Sequence, residues 1–443
     1  MLPQNTNSDL EKICSADFGI KRLGEPTLDS KLEDMIFVDD SERISYFADP
    51  MINEQIRQSG KPIPSFLAAG PRRKLFHDAS WSRAAIVTCG GLCPGLNDVI
   101  KALVNTLWYI YGVDNIFGIQ YGYSGLIPTY NLKPITLDPD VVDDIHTNGG
   151  TILGSSRGSQ SVEEMVRTLD RLNINMLFTI GGDGTQRGAH AIAMEAKKRG
   201  YQVSVIGIPK TIDNDLEFMD KTFGFETAVQ ATAPVISSAH DEARGAWNGV
   251  GLVRLMGRDS GFIAASASLA NSIVNFCLIP EVQFKLDGEN GFLPALEKRL
   301  DRKHHAVVVV AEGAGQELMQ GEKERDKSGN ILHQDIGVFL RDNIKSYFKA
   351  KDKVVNVKYF DPSYQIRSLP TNSNDSIFCL HLAQHAVHAA MAGMTDLVVG
   401  SWQGYFTYVP IELATCSRRK IDPHGQLWQS VLLTTRQSTL LSS

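Results

Sequence analysis

Short apolar runs, each followed at once by a glycine-rich or polar turn, recur along this chain and constrain its fold more than any other feature. Three of them cover residues 84–88, 176–180 and 203–208, and helical spacing follows the first two, over 96–111 and 186–199. Buried strands that alternate with helices are typical of a parallel sheet with helices on both faces. The ligands of such sheets bind beyond the carboxyl ends of the strands, where these turns fall.

A second set of alternations begins near residue 224. Its apolar runs are 250–255, 274–279 and 306–311, with helical stretches at 261–270, 336–349 and 376–392. The fold class that we predict is therefore α/β, with two doubly wound, mainly parallel-sheet (Rossmann-like) domains.

Residues 1–80 are polar and show no steady period, so we interpret them as an N-terminal extension draped on the main body. We expect a first domain over 81–215, completed by part of 391–443, and a second domain over 216–390.

The composition, with 43% hydrophobic and 21% charged residues, is that of a globular protein. The net charge is −6, and no long block of lysine and arginine indicates a nucleic-acid or anionic-membrane surface. Serines and asparagines interrupt the richest apolar stretch, 262–280, so we expect no membrane span. The amino terminus shows no apolar signal segment, and the six cysteines form no C-x-x-C pair. We therefore expect a cytoplasmic protein with reduced thiols.

Two glycine turns are candidates for phosphate binding. Gly90–Gly95 follows the first run and precedes a helix, but it is equally typical of a tight structural turn. The second turn, Gly181-Gly182-Asp183-Gly184-Thr185, has a carboxylate at its centre. A carboxylate beside a polyphosphate is repelled unless a hard cation intervenes, which favours a magnesium role for Asp183. The alternative is that Asp183 only caps the following helix.

The segment Pro209-Lys210-Thr211-Ile212-Asp213-Asn214-Asp215 follows the third run and is the more specific signal. Its charged side chains at a strand end are costly to bury without a ligand, and the alternative is a solvated turn. One carboxylate can act as a general base toward a hydroxyl, and the other can orient groups or help to hold a metal. Lys210 can neutralise a transferring phosphate. The two segments together predict phosphoryl transfer.

Two arginines become candidates once a phosphate site is assumed. Arg258 ends Met256-Gly257-Arg258 after another apolar run, and Arg157 lies in a glycine-rich and serine-rich loop. Each is uninformative alone, because a loop arginine is most often solvated, but the planar guanidinium suits phosphate oxygens.

Taken in order, these motifs resemble those of the phosphofructokinase family from about residue 84 to residue 396, and 209–215 is the most telling of them. Similar glycine turns occur in NAD kinases and lipid kinases, which are not expected to have both the 211–215 and the 256–258 segments. The resemblance implies that 81–215 binds nucleotide and magnesium, and that 216–390 binds a sugar phosphate.

Carried over residue by residue, the resemblance implies that Asp213 is the base that deprotonates the 1-hydroxyl of fructose 6-phosphate. It implies that Arg157 and Lys210 stabilise the transferring group and that Asp183 binds Mg²⁺. The implied nucleotide contacts are Gly91, Tyr123, Arg157, Gly158, Gly182, Asp183, Gly184, Thr185 and Gly188. The expected sugar-phosphate contacts are Thr211, Asp213, Asp215, Met256, Gly257, Arg258, Glu312, Lys358, Tyr364 and Arg367.

The chain departs from the common bacterial pattern of the family at three positions. Tyr364 stands where a histidine is usual, Lys358 where an arginine is usual, and Gly249 where a phosphate-binding arginine is usual. The source of the phosphate contact that this arginine makes from a neighbouring subunit therefore stays open.

The phosphoryl donor depends on residues 184 and 210. Pyrophosphate-dependent relatives have aspartate and lysine there, and bacterial ATP-dependent enzymes have glycine at both. Gly184 with Lys210 resembles the plant, trypanosomatid and amoebal ATP-dependent type, which also has a long N-terminal extension and the tyrosine. The resemblance implies an ATP-dependent, allosteric enzyme of glycolysis, assembled as a homotetramer. A pyrophosphate-dependent enzyme and a non-catalytic regulatory subunit that binds sugar phosphate stay as alternatives.

Overall fold

The computed structural model describes residues 7–33, 35–319 and 333–438. The strands are β1 (Lys21–Arg22), β2 (Leu28–Asp29), β3 (Arg43–Ser45), β4 (Ser65–Ala68), β5 (Lys74–Leu75), β6 (Arg83–Thr88), β7 (Asn115–Ile119), β8 (Ile135–Leu137), β9 (Met176–Gly181), β10 (Ser204–Pro209), β11 (Gly249–Leu255), β12 (Phe276–Leu278), β13 (His305–Ala311), β14 (Asn356–Phe360), β15 (Met394–Thr395), β16 (Leu397–Trp402) and β17 (Tyr405–Pro410).

The α-helices connect and cover these strands. They are α1 (Asn7–Cys14), α2 (Pro50–Gln58), α3 (Leu96–Asn105), α4 (Val162–Arg171), α5 (Asp183–Lys198), α6 (Phe225–Arg244), α7 (Phe262–Ala270), α8 (Phe292–Lys303), α9 (Ile336–Ala350), α10 (Ser363–Ile366), α11 (Ser373–Met391), α12 (Ile411–Ala414) and α13 (Gln426–Thr435). A π-helix, Thr106–Tyr111, continues α3.

The larger sheet has nine strands in the order β3-β4-β17-β16-β10-β9-β6-β7-β8. Its five central strands, from β16 to β7, are parallel, and antiparallel strands lie at both edges. Every residue of β9 and β10 is buried, as expected for parallel strands that are covered on both faces. The apolar runs at 84–88, 176–180 and 203–208 are therefore confirmed as strands.

The smaller sheet has four parallel strands in the order β12-β13-β11-β14. The runs at 250–255 and 306–311 form its two central strands, whose side chains are almost all buried. Two mainly parallel sheets with helices packed on them confirm the predicted α/β fold class.

The first 80 residues are more than a covering of the main body. β3 and β4 extend the larger sheet beyond β17, and β1 pairs with β15. Phe66 of β4 is fully buried and packs edge to face against Phe18 and Trp402. Aromatic rings from distant parts of the chain thus supply the burial that holds these short edge strands. Periodicity did not reveal them, because strands of three and four residues are too short to show a period.

The division of the chain into domains at residues 80, 215 and 390 stays a prediction, and two helices pack on the sheet of the other predicted domain. All but the last residue of α11 falls within 216–390, yet the helix packs against α3 and β10 of the larger sheet. Alanines on its buried face, among them Ala383 and Ala386, permit this close approach. In the opposite sense, α13 lies near the carboxyl terminus and packs against α7, on the smaller sheet's side.

The expectations about the thiols and about a membrane span can be compared with the structure. All six cysteines are free thiols. Among the residues that the structure describes, no helix is both long enough and apolar enough to cross a bilayer.

Candidate active site

A cleft of about 560 Å³ opens where the loops after β6, β9, β10 and β11 meet. Because the carboxyl ends of parallel strands share one edge of a sheet, turns far apart in the sequence converge there. The cleft brings together most of the residues singled out in the sequence: Gly91, Tyr123, Arg157, Gly158, Gly182, Asp183, Gly184, Thr185, Gly188, Lys210, Thr211, Asp213, Asp215, Met256, Arg258 and Arg367.

The loop after β10 presents two carboxylates to the cleft. The hydroxyl of Thr211 donates a hydrogen bond to Oδ1 of Asp215 at 2.8 Å, and accepts one from the amide of Asp213 at 3.2 Å. Ser260, from the loop after β11, donates to the backbone carbonyl of Asp213 at 3.1 Å. Asn214 has a left-handed backbone (φ 54°), and its side-chain oxygen accepts from the amide of Thr222 at 2.9 Å. The loop is thus fixed from both sheets.

Asp213 has the electrostatic character of a proton acceptor. Its Oδ1 is buried, and no group within the described part of the chain hydrogen-bonds to it. Burial, together with the nearby charges of Asp215 and Glu312, raises the pKa of Asp213 well above the ordinary carboxyl value. Burial also raises the pKa of Asp215, although its bond from Thr211 opposes this. A carboxylate with raised proton affinity and a spare oxygen is suited to general-base catalysis.

Lys210 connects the end of β10 to the turn after β6. Its ammonium group is buried and donates to the carbonyl of Gly91 at 2.7 Å. Burial lowers the pKa of Lys210. A β-carbon at Gly90, whose φ is +88°, would lie 3.0 Å from this Nζ, so the glycine leaves the lysine room. A buried ammonium at the floor of the cleft favours an anionic ligand.

Two guanidinium groups flank the same turn. A β-carbon at Gly91 would lie 3.0 Å from Nη2 of Arg157 and 3.6 Å from Nη1 of Arg367. Both arginines line the cleft, and with Lys210 they form a positively charged wall suited to phosphate oxygens.

Asp183 opens helix α5 and is not its capping residue. The N-cap is Gly182, which rules out the interpretation of Asp183 as a cap. Oδ2 of Asp183 pairs with Arg187 at 2.6 Å, whereas its Oδ1 is buried and finds no hydrogen-bond partner in the described ranges. A carboxylate oxygen left over at the rim of a phosphate-sized cleft is the kind of ligand that Mg²⁺ takes. The site therefore fits the ion.

The next residue, Gly184, borders open space. A β-carbon there would meet no atom of the described residues within 4 Å. Farther along α5, Gly188 fits against the ring of Tyr123, whose hydroxyl donates to the carbonyl of Thr185 at 2.7 Å. A β-carbon at Gly188 would lie 2.6 Å from that ring, so glycine is required there for packing.

Two expected sugar-phosphate contacts lie just behind the cleft lining. Gly257 has φ +131°, and a β-carbon there would lie 2.5 Å from the carbonyl oxygen of Ser260, so it shapes the turn that presents Arg258. Glu312 follows β13 and pairs with Arg254 at 3.1 Å.

The other two expected sugar-phosphate contacts, Tyr364 and Lys358, lie farther from the cleft. Tyr364 lines an adjoining cavity with Gly91 and Arg157, and the guanidinium of Arg367 lies 4.6 Å from its ring centre. Lys358 is half-exposed and pairs with Glu242 at 3.6 Å.

Two further arginines, one in the cleft lining and one paired with Glu312, have no signal in the sequence that identifies them. Arg418, from the segment after α12, lines the cleft. Arg254, inside β11, contacts Asp361 at 2.5 Å as well as Glu312. A single arginine in a strand or a C-terminal loop has no local pattern that marks it as a site residue.

Comparison with known proteins agrees with the geometry of the cleft. The family model described as phosphofructokinase matches residues 83–390. The ATP-dependent 6-phosphofructokinase of Borreliella burgdorferi is 53% identical, over 83% of this chain and 84% of its own length. ATP-dependent 6-phosphofructokinase 5 of Arabidopsis thaliana, a chloroplastic protein by name, is 48% identical, over 83% of this chain and 68% of its own.

A solved structure has a similar fold. The pyrophosphate-dependent phosphofructokinase from Nitrosospira multiformis covers 81% of this chain with 93% of its own, at a TM-score of 0.66 and 18% identity. At that identity the likeness concerns the fold alone.

Proposed function

The chain belongs to the phosphofructokinase family, and we propose that its cleft transfers the γ-phosphoryl group of ATP to the 1-hydroxyl of fructose 6-phosphate. The products are ADP and fructose 1,6-bisphosphate. The observation that carries this proposal is the convergence of Asp213, whose Oδ1 is buried, a buried lysine and a carboxylate-bearing glycine turn on one cleft.

ATP is favoured as the donor by the curated relatives and by residue 184. The Borreliella and Arabidopsis relatives, which are 53% and 48% identical in sequence to this chain, are named as ATP-dependent enzymes. The space beside Gly184 leaves room for a nucleotide's phosphates, where an aspartate would project a negative charge. The pyrophosphate-dependent alternative draws on Lys210, because the solved pyrophosphate-dependent structure shares only the fold at 18% identity.

The acceptor half of the reaction rests on Asp213. Its buried oxygen accepts the proton of the sugar's 1-hydroxyl as the hydroxyl oxygen attacks the γ-phosphorus. Thr211 and Ser260 hold the loop by their hydrogen bonds, so the carboxylate need not reorganise during the reaction. Arg258, Met256 and Arg367 bind the sugar phosphate, with Glu312 behind them.

The donor half rests on Arg157 and Lys210 of the positive wall and on the turn after β9. Arg157 and Lys210 stabilise the negative charge that spreads over the transferring group. Asp183 would hold Mg²⁺ through its spare oxygen, and the bound ion would supply positive charge beside the transferring phosphate. Gly91, Gly182 and Gly184 let backbone amides approach the nucleotide's phosphates.

Cytoplasmic location stays a prediction from the sequence, and allosteric control and assembly into a homotetramer stay proposals that rest on the resemblance. The chloroplastic relative shows that location varies among similar proteins.

The first experiment is a coupled assay of purified protein with fructose 6-phosphate and Mg²⁺, which compares ATP with pyrophosphate. We expect turnover with ATP. Turnover with pyrophosphate alone would support the first alternative, and a folded protein that is silent with both would support the regulatory subunit.

The role of Asp213 is tested by Asp213→Asn in the same assay. We expect kcat to fall roughly 10²- to 10⁴-fold, the range for a positioned base, while calorimetry shows that each substrate still binds. Asp301→Asn, an exposed carboxylate paired with Lys353, is the matched control. Unchanged turnover in Asp213→Asn would remove this residue from the role.

A further inference from the structure

Arg418 is surrounded by carboxylates of the cleft although it comes from a segment that the family match, which ends at residue 390, does not cover. Its guanidinium forms a close ion pair with Asp259, and it lies 3.6 Å from Oδ2 of Asp183 and 3.8 Å from Oδ2 of Asp215. The side chain is 29% exposed and lines the cleft. One fixed cation thus faces three acidic groups.

The three carboxylates come from different structural elements. Asp183 begins α5 and Asp215 follows β10, both on the larger sheet, whereas Asp259 follows β11 of the smaller sheet. Under the proposed function, Asp183 belongs to the donor half of the site and Asp215 lies beside the base of the acceptor half. Arg418 is therefore in contact with both halves and is anchored from the opposite sheet.

The backbone around Arg418 is also fastened on both sides. Arg418 forms an antiparallel bridge with Leu216, and the amide of Arg419 donates to the carbonyl of Asp215 at 2.9 Å. Toward the smaller sheet, Oε1 of Glu281 accepts hydrogen bonds from the amides of Ile421 and Gly261, each at 3.0 Å. The side chain of Arg418 is consequently attached to a backbone that is held in place, and it is not a solvated loop side chain.

We propose that Arg418 is a positioning residue of the phosphotransfer site. By pairing with Asp183, Asp215 and Asp259, it offsets their mutual repulsion and fixes the donor half relative to the acceptor half. The C-terminal segment 418–421 thereby completes the active site. This inference rests on the proposed function, because it concerns the alignment of the groups that the reaction uses.

The test compares Arg418→Gln, Arg418→Lys and the surface control Arg57→Gln, which removes an exposed ion pair with Glu54. The coupled assay measures kcat and both KM values. Calorimetry measures the binding of each substrate alone, and the thermal midpoint reports on folding. We expect Arg418→Gln to lose about 10²-fold in kcat, the scale of an ångström-sized misalignment. Each KM and each binding constant should stay within about threefold of wild type, because the substrate contacts remain.

A role in alignment also predicts rescue. Arg418→Lys keeps the charge but loses the planar fork, so its kcat should lie between those of wild type and Arg418→Gln. A further variant, Arg418→Ala, leaves space for a free guanidinium ion. Guanidinium ions at millimolar concentration should restore part of its kcat, and equal concentrations of sodium chloride should not.

Asp259→Asn provides a second, independent variant, because it loosens the anchor of Arg418 without touching the cleft lining. It should reproduce the loss in kcat with KM retained.

Three results would overturn the inference. One is a kcat of Arg418→Gln within threefold of wild type. Another is an equal loss of kcat in Arg418→Lys and Arg418→Gln, together with no rescue of Arg418→Ala by guanidinium. The third is unfolding or lost binding in both Arg418→Gln and Asp259→Asn, which would make the role structural. If wild-type protein itself fails to turn over ATP with fructose 6-phosphate, the proposed function fails and the inference fails with it. Normal wild-type turnover beside an unaffected Arg418→Gln refutes the inference alone.

Discussion

Replacement of Gly184 by aspartate tests the donor assignment with little risk to the fold. A β-carbon at residue 184 would meet no described atom within 4 Å, so the new side chain projects into the cleft. The residue lies in the first turn of α5, where a carboxylate stabilises a helix by about 0.3–1 kcal/mol. Glycine in a helix also costs about 1 kcal/mol relative to alanine. We therefore expect the thermal midpoint of Gly184→Asp to be at or above that of wild type.

The expected effect on catalysis follows from Coulomb's law. Two like unit charges 4 Å apart repel by about 4 kcal/mol at an effective dielectric constant near 20, and by about 3 kcal/mol at 6 Å. Since about 1.4 kcal/mol corresponds to a factor of ten, kcat/KM for ATP should fall by about 10²- to 10³-fold. Lys210 is already present in the cleft, so pyrophosphate use is measured in the same coupled assay.

Two further variants separate charge from size. Gly184→Asn has almost the volume of aspartate without its charge, and Gly184→Ala adds only the β-carbon. We expect Gly184→Ala to stay within about threefold of wild type and Gly184→Asn to lose far less than Gly184→Asp, because the larger effect is electrostatic. ATP kinetics in Gly184→Asp within threefold of wild type would refute the reasoning. An equal loss in Gly184→Asn would show that size, and not charge, excludes the nucleotide.

Two other predictions concern stability and thiol reactivity. Burial lowers the pKa of His388 to about 3, against about 6.5 in an unfolded chain, so its stabilising effect is complete above pH 6.5 and is lost progressively as the pH falls. By pH 5 this amounts to roughly 2 kcal/mol of unfolding free energy, and urea titrations of His388→Asn should show a shallower acid loss than wild type; parallel curves would contradict this. Cys416 is exposed, whereas burial raises the pKa of Cys89 to about 12, so iodoacetamide should modify Cys416 rapidly and Cys89 only after unfolding. Peptide mass spectrometry checks the order, and comparable rates in native protein would disprove it.

Local patterns were enough to predict the central strands and the polar turns after them. Fully buried parallel strands appear as continuous apolar runs, which is why 176–180 and 203–208 were identified without tertiary information. The convergence of the turns on one cleft then follows from the topology of a parallel sheet. The chemistry at 209–215 was also legible, because charges at the end of a buried strand require a ligand or solvent.

The tertiary structure decided the properties that depend on contacts between distant residues. It gave Asp183 a position inside α5 and an oxygen that has no hydrogen-bond partner among the described residues, where the sequence had left a cap as an alternative. It also determined that Glu312 faces Arg254 and that β3 and β4 enlarge the main sheet. None of these features has a local signal, since each results from packing between segments far apart in the chain.

Arg418 marks this division most clearly. By sequence it is one arginine in a polar C-terminal segment, and by structure it touches carboxylates 159 or more positions away. The sequence by itself determined the fold class, the motifs and the family, because these depend on local composition and order. Only the folded chain decided which charges meet, because electrostatic interaction depends on distance in space and on burial, and neither can be read from spacing along the chain.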